Sequence, residues 1–215
     1  MADVKFYTPL EERLNIASHA MGLVLSLLGL VLLLLRAIPY GNALNTVSVA
    51  IYGASMIALY AASTAYHSST KPDIRRRLRV VDHASIYVLI SGTYTPFMLI
   101  TLKGAIGWTL FAITWGMALT GITLKLFFTG RFNLLSTLMY VFMGWLIIFA
   151  IKPMIAAMPP GGMIWLVAGG LAYTFGALLY AIKSIPYNHA IFHLFVLAGS
   201  ICHFIAVYEY VLPRN

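Results

Sequence analysis

The stretch Asn15–Ile38, NIASHAMGLVLSLLGLVLLLLRAI, is an almost unbroken apolar run with one cation near its end. At about 1.5 Å per residue, a helix of this length crosses the ~30 Å hydrocarbon core of a bilayer. The whole chain has 215 residues, of which 61% are hydrophobic and 9% charged. Soluble domains average about 25% charged residues, so the composition indicates an integral membrane protein.

Six further segments are apolar and long enough to span a membrane. Short connections rich in proline, glycine and lysine separate them. The sequence therefore predicts an all-α membrane protein, a single seven-transmembrane helix bundle over residues 1–215. Asn188 follows Pro186 and is expected to cap the last helix. The six segments are Leu44–Tyr66, Val81–Leu102, Ile106–Phe128, Leu134–Ile151, Met163–Ile182 and His189–Leu212.

The distribution of cations predicts the orientation, because Lys and Arg favour cytoplasmic loops. The basic stretch Lys71–Arg79 decides it, with the N-terminus cytoplasmic and the C-terminus outside. This places ten of the 14 Lys and Arg residues inside and four outside. The net charge of +8 is thus a topology signal, and we predict membrane lipids as partners, with no nucleic acid and no obligate protein partner. The inner set is Lys5, Arg13, Lys71, Arg75, Arg76, Arg77, Arg79, Lys125, Arg131 and Lys183; the outer set is Arg36, Lys103, Lys152 and Arg214.

Several ionisable residues fall at the ends of apolar segments that this topology places at the cytoplasmic face. His67 ends the second segment, Asp82 opens the third, and His189 and His193 open the last. Ser63 lies one helical turn before His67. Ionisable groups in membrane spans are costly, so this grouping predicts a functional site.

The histidines predict a metal centre. His189 and His193 are four residues apart, so on a helix both rings lie on one face. With His67 they offer three nitrogen ligands and leave a fourth position open, which is typical of catalytic zinc. Ligand type alone leaves iron, copper or nickel open. Asp82 is predicted as the acid that handles the proton of a water molecule there, and Ser63 as a group that orients the water or binds a backbone carbonyl.

The remaining polar groups are predicted to play supporting or structural parts. Asn15 and His19, one turn apart, are expected to lie behind the ligands or to bond between helices. His203, about 15 Å beyond His193, is interpreted as structural. Asp82 is taken as the only acid at the depth of the site, with Glu12 assigned to the terminal region. A single buried histidine is more often a packing residue, but three at one depth beside an acid favour a metal.

These residues fall in motifs that resemble the bacterial hemolysin III family, which belongs with the progestin and adiponectin receptors and, more distantly, the alkaline ceramidases. The resemblance covers nearly the whole chain. It implies seven helices, a cytoplasmic N-terminus, zinc on His67, His189 and His193, and an acid, Asp82, toward the water at the metal. The motifs are Glu12-x-x-Asn15-x-x-Ser18-His19, Ser63-Thr-Ala-Tyr-His67, Asp82-His-Ala-Ser-Ile-Tyr87, Ser91-Gly-Thr-Tyr-Thr-Pro-Phe97 and Pro186-Tyr-Asn-His-Ala-Ile-Phe-His193.

The functional hypothesis is a zinc-dependent hydrolase in the bacterial plasma membrane. Its substrate would be a ceramide-like amide or a related acyl lipid, and it would contribute to membrane-lipid homeostasis. One alternative is a non-enzymatic sensor stabilised by zinc; another is a hemolysin-type membrane-damaging protein. A pore would need a polar stripe across the membrane, whereas the polar groups concentrate at one end. The uneven depth of the six histidines argues against a b-type haem.

Overall fold

The computed structural model describes residues 5–128 and 133–213, and the regular structure in those ranges is all helical. Within them, seven helices are long and apolar enough to cross a membrane, which confirms the predicted fold class. Arg131 and Arg214, used above for the orientation, lie outside the described residues. The helices are α1 Pro9–Tyr40, α2 Ala43–Ser68, α3 Pro72–Pro96 with a π-helical continuation Phe97–Leu102, α4 Gly104–Phe128, the interrupted α5 made of Asn133–Gly144, Leu146–Ala150 and Ile151–Ala157, α6 Pro160–Ala181, and α7 Asn188–Ala206 with a π-helical continuation Val207–Val211.

Two helices begin six or more residues earlier than the apolar segments predict. The first starts at Pro9 instead of Asn15, with the Thr8 hydroxyl accepting a hydrogen bond from the Glu11 amide at 3.3 Å. The third starts at Pro72, so most of the basic stretch is helical and not a loop. Hydropathy identifies the residues that can lie in the hydrocarbon core of the membrane. A helix begins at its capping residue or first-turn proline, which can lie outside that core.

The fifth span is interrupted and longer than predicted. It consists of an α-helix over Asn133–Gly144, a 3₁₀ segment over Leu146–Ala150 and an α-helix over Ile151–Ala157. The break explains why Pro153 does not end the span. Pro153 falls in the first turn of the new helix, where backbone amides have no intrahelical acceptor to lose.

Packing brings three helices together around the predicted site. The first helix packs against α2 and α7, α2 also packs against α3, and α6 packs against α7. Tyr52, Tyr60 and Phe97 are buried between the helices. Large apolar side chains such as Leu35 and Phe149 are exposed, which suits a surface that contacts lipid.

Gly92 is predicted to be essential for the close contact of α3 with α2. A Cβ atom at Gly92 would lie 2.2 Å from Ser55 Oγ and 2.5 Å from Ser55 Cβ, so the two backbones would have to separate. Overpacking of this kind costs about 1–3 kcal/mol. Gly92→Ala is therefore expected to lower the thermal unfolding midpoint of the protein in detergent. Gly116→Ala is the control, since its added Cβ meets nothing within 4 Å; an equal shift in both variants would contradict the prediction.

Candidate metal centre

Three predicted ligands meet at one end of the bundle. His67, near the end of α2, and His189 and His193, in the first turns of α7, offer ring nitrogens that all lie within 4.8 Å of one another. Their exposed fractions are 3%, 8% and 2%. The chain therefore holds a cluster of three buried histidines that could bind a metal ion, and we call it the histidine cluster.

The start of α7 is fixed by Asn188, although not in the way the sequence suggested. Its amide donates to the carbonyl oxygens of Tyr180 at 2.9 Å and Ile182 at 3.1 Å. The expected cap of the last helix is therefore wrong, because Asn188 satisfies carbonyls at the end of α6. The cap position is held by Tyr187, whose φ of 56° is left-handed. This turn sets His189 on the first turn of α7, facing α2.

Hydrogen bonds on the far side of two rings leave the opposite nitrogen of each ring, Nε2, as the atom that could bind a metal. His67 Nδ1 donates to Glu12 Oε2 at 2.8 Å. His193 Nδ1 donates to the Asn15 carbonyl oxygen at 3.3 Å and lies 3.4 Å from Ser18 Oγ. A neutral imidazole protonated at Nδ1 carries its lone pair on Nε2. His67 and His193 are thus held in the tautomer that ligates through Nε2.

The spacing of one pair of ring nitrogens fits a small cation. His67 Nε2 and His189 Nε2 are 3.1 Å apart. Two nitrogens bound to tetrahedral zinc at ~2.0–2.1 Å would be separated by about 3.3 Å. Ligating histidines also characteristically donate their other N–H to a carboxylate or a backbone carbonyl, as His67 and His193 do. His67, His189 and His193 are the residues that would hold the ion.

Glu12 was missed by the sequence reasoning, which treated Asp82 as the only acid at this depth. That interpretation is wrong, because Glu12 lies in the first turn of α1 and contacts His67 directly. The signal was present in the sequence as Thr8-Pro9, a helix cap and a first-turn proline, followed closely by two acids. An acid in a first turn is part of the helix and can reach a neighbouring helix.

Asp82 lies outside the grouping of the three histidines, and Ser63 lies one helical turn before His67 on α2. The Asp82 side chain is buried on α3, near Ser63 and Arg75. Ser63 Oγ is buried and makes no hydrogen bond within 3.5 Å in the described part of the chain. The mutual 4.8 Å grouping comprises the three histidines without Asp82. Asp82 is therefore not part of the set of side chains that could hold the ion.

Asn15 and His19 lie directly behind the ligands. The side-chain amide nitrogen of Asn15 is 3.4 Å from His67 Nδ1, and the backbone carbonyl of Asn15 accepts from His193 Nδ1. The His19 ring stacks on the His193 ring, with centroids 3.5 Å apart and planes at 12°. Both His19 nitrogens are buried without a hydrogen-bond partner in residues 5–128 and 133–213.

Tyr7 covers the cluster and was also missed by the sequence reasoning. Its ring stacks on the His189 ring, with centroids 4.7 Å apart and planes at 12°. Burial raises the pKa of Tyr7 above its ordinary value, so the phenol stays protonated. No periodicity predicts this contact, because Tyr7 precedes the first helix. His203, in contrast, lies away from the cluster, and its Nε2 donates to the Leu166 carbonyl at 3.1 Å.

The fold and this cluster define a class: seven-helix membrane proteins with three buried histidines at one end of the bundle. The family described as Haemolysin-III related matches residues 7–204, and the chain belongs to that family. The predicted resemblance is thereby confirmed.

Curated relatives extend over nearly the whole chain. Hemolysin-3 of Bacillus cereus is 47% identical over 203 residues, which cover 94% of this chain and 93% of the relative. The Hemolysin-3 homolog of Bacillus subtilis (strain 168) is 47% identical over 204 residues, covering 95% and 96%. The human monocyte to macrophage differentiation factor is 26% identical over 210 residues, covering 94% and 84%. The last similarity is distant, and it agrees with the wider receptor family suggested by the motifs.

Proposed function

We propose that this protein is a zinc-dependent hydrolase of an acyl-linked membrane lipid, with a ceramide-like amide as the leading substrate class. The observation that carries the proposal is the approach of His67 Nε2 and His189 Nε2 to 3.1 Å, with His193 completing the set. Three imidazole ligands leave a fourth position open, as in catalytic and not in structural zinc sites. Imidazole donors suit zinc as well as copper, iron and nickel, and the three-ligand set with an open fourth position is the reason for choosing zinc.

The residues around the cluster supply the remaining parts of a hydrolytic site. Zinc, when bound, would polarise a carbonyl group and make water a nucleophile at neutral pH. Asp82 would accept the proton of the attacking water and return it to the leaving amine. The unpartnered hydroxyl of Ser63 would orient that water or the developing oxyanion. The apolar outer faces of the helices suit a substrate that arrives from the lipid phase.

The proposal includes a location for the site. With the N-terminus in the cytoplasm and the C-terminus outside, the histidine cluster faces the cytoplasmic side of the bacterial plasma membrane. Membrane lipids are its partners, and residues 1–215 act as one domain. Turnover of acyl lipids there would contribute to membrane-lipid homeostasis.

Metal dependence is the first test. Purified protein in lipid nanodiscs should release fatty acid from ceramide or another acyl lipid. A zinc chelator is expected to reduce this rate at least about 10-fold, because the nucleophile is generated at the metal. Added Zn²⁺ should restore the rate, and Mg²⁺ should not, since magnesium prefers oxygen ligands. Hydrolysis that survives complete removal of the metal would refute the proposal.

Membrane damage is a second candidate, favoured by the name Hemolysin-3 of a relative at 47% identity. It predicts dye release from lipid vesicles by the purified wild-type protein. In the hydrolase proposal, any such release follows from lipid turnover and disappears with the chelator. Release that persists after chelation would favour the lytic function instead.

A further inference from the structure

Arg75 is a buried cation in a membrane protein, and its partners lie around the histidine cluster. Its exposed fraction is 1%. Nη1 donates to the carbonyl oxygens of Tyr66 at 3.2 Å, His67 at 3.2 Å and Ser69 at 3.0 Å. These carbonyls lie at the C-terminal end of α2, where the last four carbonyls of a helix lack α-helical partners. The Tyr66 carbonyl also accepts from the Ser69 amide at 3.3 Å. The guanidinium group therefore holds the backbone that carries His67.

The same guanidinium group reaches the His67 ring through Glu12. Arg75 Nη2 forms an ion pair with Glu12 Oε1, while Glu12 Oε2 accepts from His67 Nδ1 at 2.8 Å. The His67 side chain is fully buried and that of Glu12 is 15% exposed. A carboxylate shared between a cation and an imidazole keeps its charge and its position. Arg75 thus bonds the His67 backbone directly and is linked to the His67 ring indirectly, through the Glu12 carboxylate.

The pair also holds the segment that covers His189. Arg75 Nε donates to the Lys5 carbonyl at 3.1 Å, and the guanidinium group lies 4.5 Å from the ring centroid of Phe6. Glu12 Oε1 accepts from the Tyr7 backbone amide at 3.1 Å. These contacts fix the backbone on both sides of the Tyr7 ring that stacks on His189.

We propose that Arg75 and Glu12 are positioning residues that set the metal affinity of the histidine cluster. Glu12 fixes the tautomer and orientation of His67, and Arg75 fixes Glu12 together with the segment that places Tyr7 over His189. The inference rests on the proposed function only in requiring that the cluster binds zinc. If Arg75 were purely structural, it would only stabilise the end of α2 by donating to carbonyls there, and its substitution would not change the metal affinity.

Zinc affinity, measured by competition with a chelator of known affinity, tests the inference. Glu12→Gln and Arg75→Lys are expected to weaken zinc binding by about 10–100-fold, the usual effect of losing such an outer partner. Glutamine keeps the shape but loses the charge, and lysine keeps the charge but loses the planar fork. Arg77→Gln is the matched control, because Arg77 is an exposed cation on the same helix. Its affinity should equal that of the wild type.

A cobalt spectrum separates positioning from stability. Co²⁺ bound at the cluster should show altered d–d absorption bands in Glu12→Gln, because these bands report the ligand geometry, which a loss of stability alone does not change. Wild-type affinity and an unchanged cobalt spectrum in Glu12→Gln would overturn the inference, whatever the stability of Arg75→Lys. Absence of zinc binding by the wild-type protein would instead refute the metal centre itself.

Discussion

His67→Ala is expected to abolish metal binding by the purified protein. His67 supplies one of three ligand nitrogens, and its Nε2 lies 3.1 Å from His189 Nε2. A four-ligand structural zinc site contributes about 10–16 kcal/mol, so losing one ligand costs on the order of 10²–10³-fold in affinity. Metal analysis after dialysis should find about one zinc per wild-type chain and almost none in the variant. Added Zn²⁺ should raise the unfolding midpoint of the wild type only.

His203→Ala is the matched control for this experiment. His203 is a buried histidine on the same helix as His193, but its Nε2 donates to the Leu166 carbonyl at 3.1 Å, away from the cluster. The variant should lose some stability and keep its zinc. Equal loss of zinc in both variants would show that a general loss of structure, and not a missing ligand, removes the metal. Full zinc occupancy in His67→Ala would place the ion elsewhere.

The sequence predicted the seven spans and the grouping of the three histidines because both depend on short-range patterns. A span is a run of about 20 apolar residues, and it is visible without knowing its neighbours. The pair His189 and His193 shares a face through helical spacing alone. His67 joined them because the spans alternate in direction, so that the end of α2 and the start of α7 lie at one membrane face. The alternating direction of the spans determines which helix ends share a membrane face, and this was enough to group the three histidines.

The outer partners of the ligands could not be predicted in this way. Glu12 and Arg75 are 63 positions apart in the chain, and neither spacing nor hydropathy links them. Arg75 is one cation in a basic stretch whose other members include the exposed Arg76 and Arg77. Which of these arginines is buried depends on how α3 packs against the end of α2. The basic stretch was therefore assigned to topology as a whole, although one of its side chains belongs to the site.

Asp82→Asn is expected to separate catalysis from metal binding. The Asp82 side chain is buried beside Ser63, and it is not one of the three groups that could ligate the metal. Asparagine is nearly isosteric but cannot accept the proton of an attacking water. Loss of a general base typically lowers the rate by about 10²–10⁴-fold. Lipid hydrolysis should fall by that factor, while metal analysis still finds zinc at the wild-type level.

Asp73→Asn supplies the control and helps to decide between an enzyme and a zinc-stabilised sensor. Asp73 lies on the same helix, but its side chain is 88% exposed and pairs only with Arg76 at 3.3 Å among the described residues. Its substitution should change neither zinc content nor turnover.

In a sensor the metal holds the helices together, so Asp82→Asn, which keeps the metal, should leave a membrane-fluidity phenotype intact. An enzyme requires that phenotype to disappear with the carboxylate, because Asp82 would be the group that accepts the proton of the attacking water.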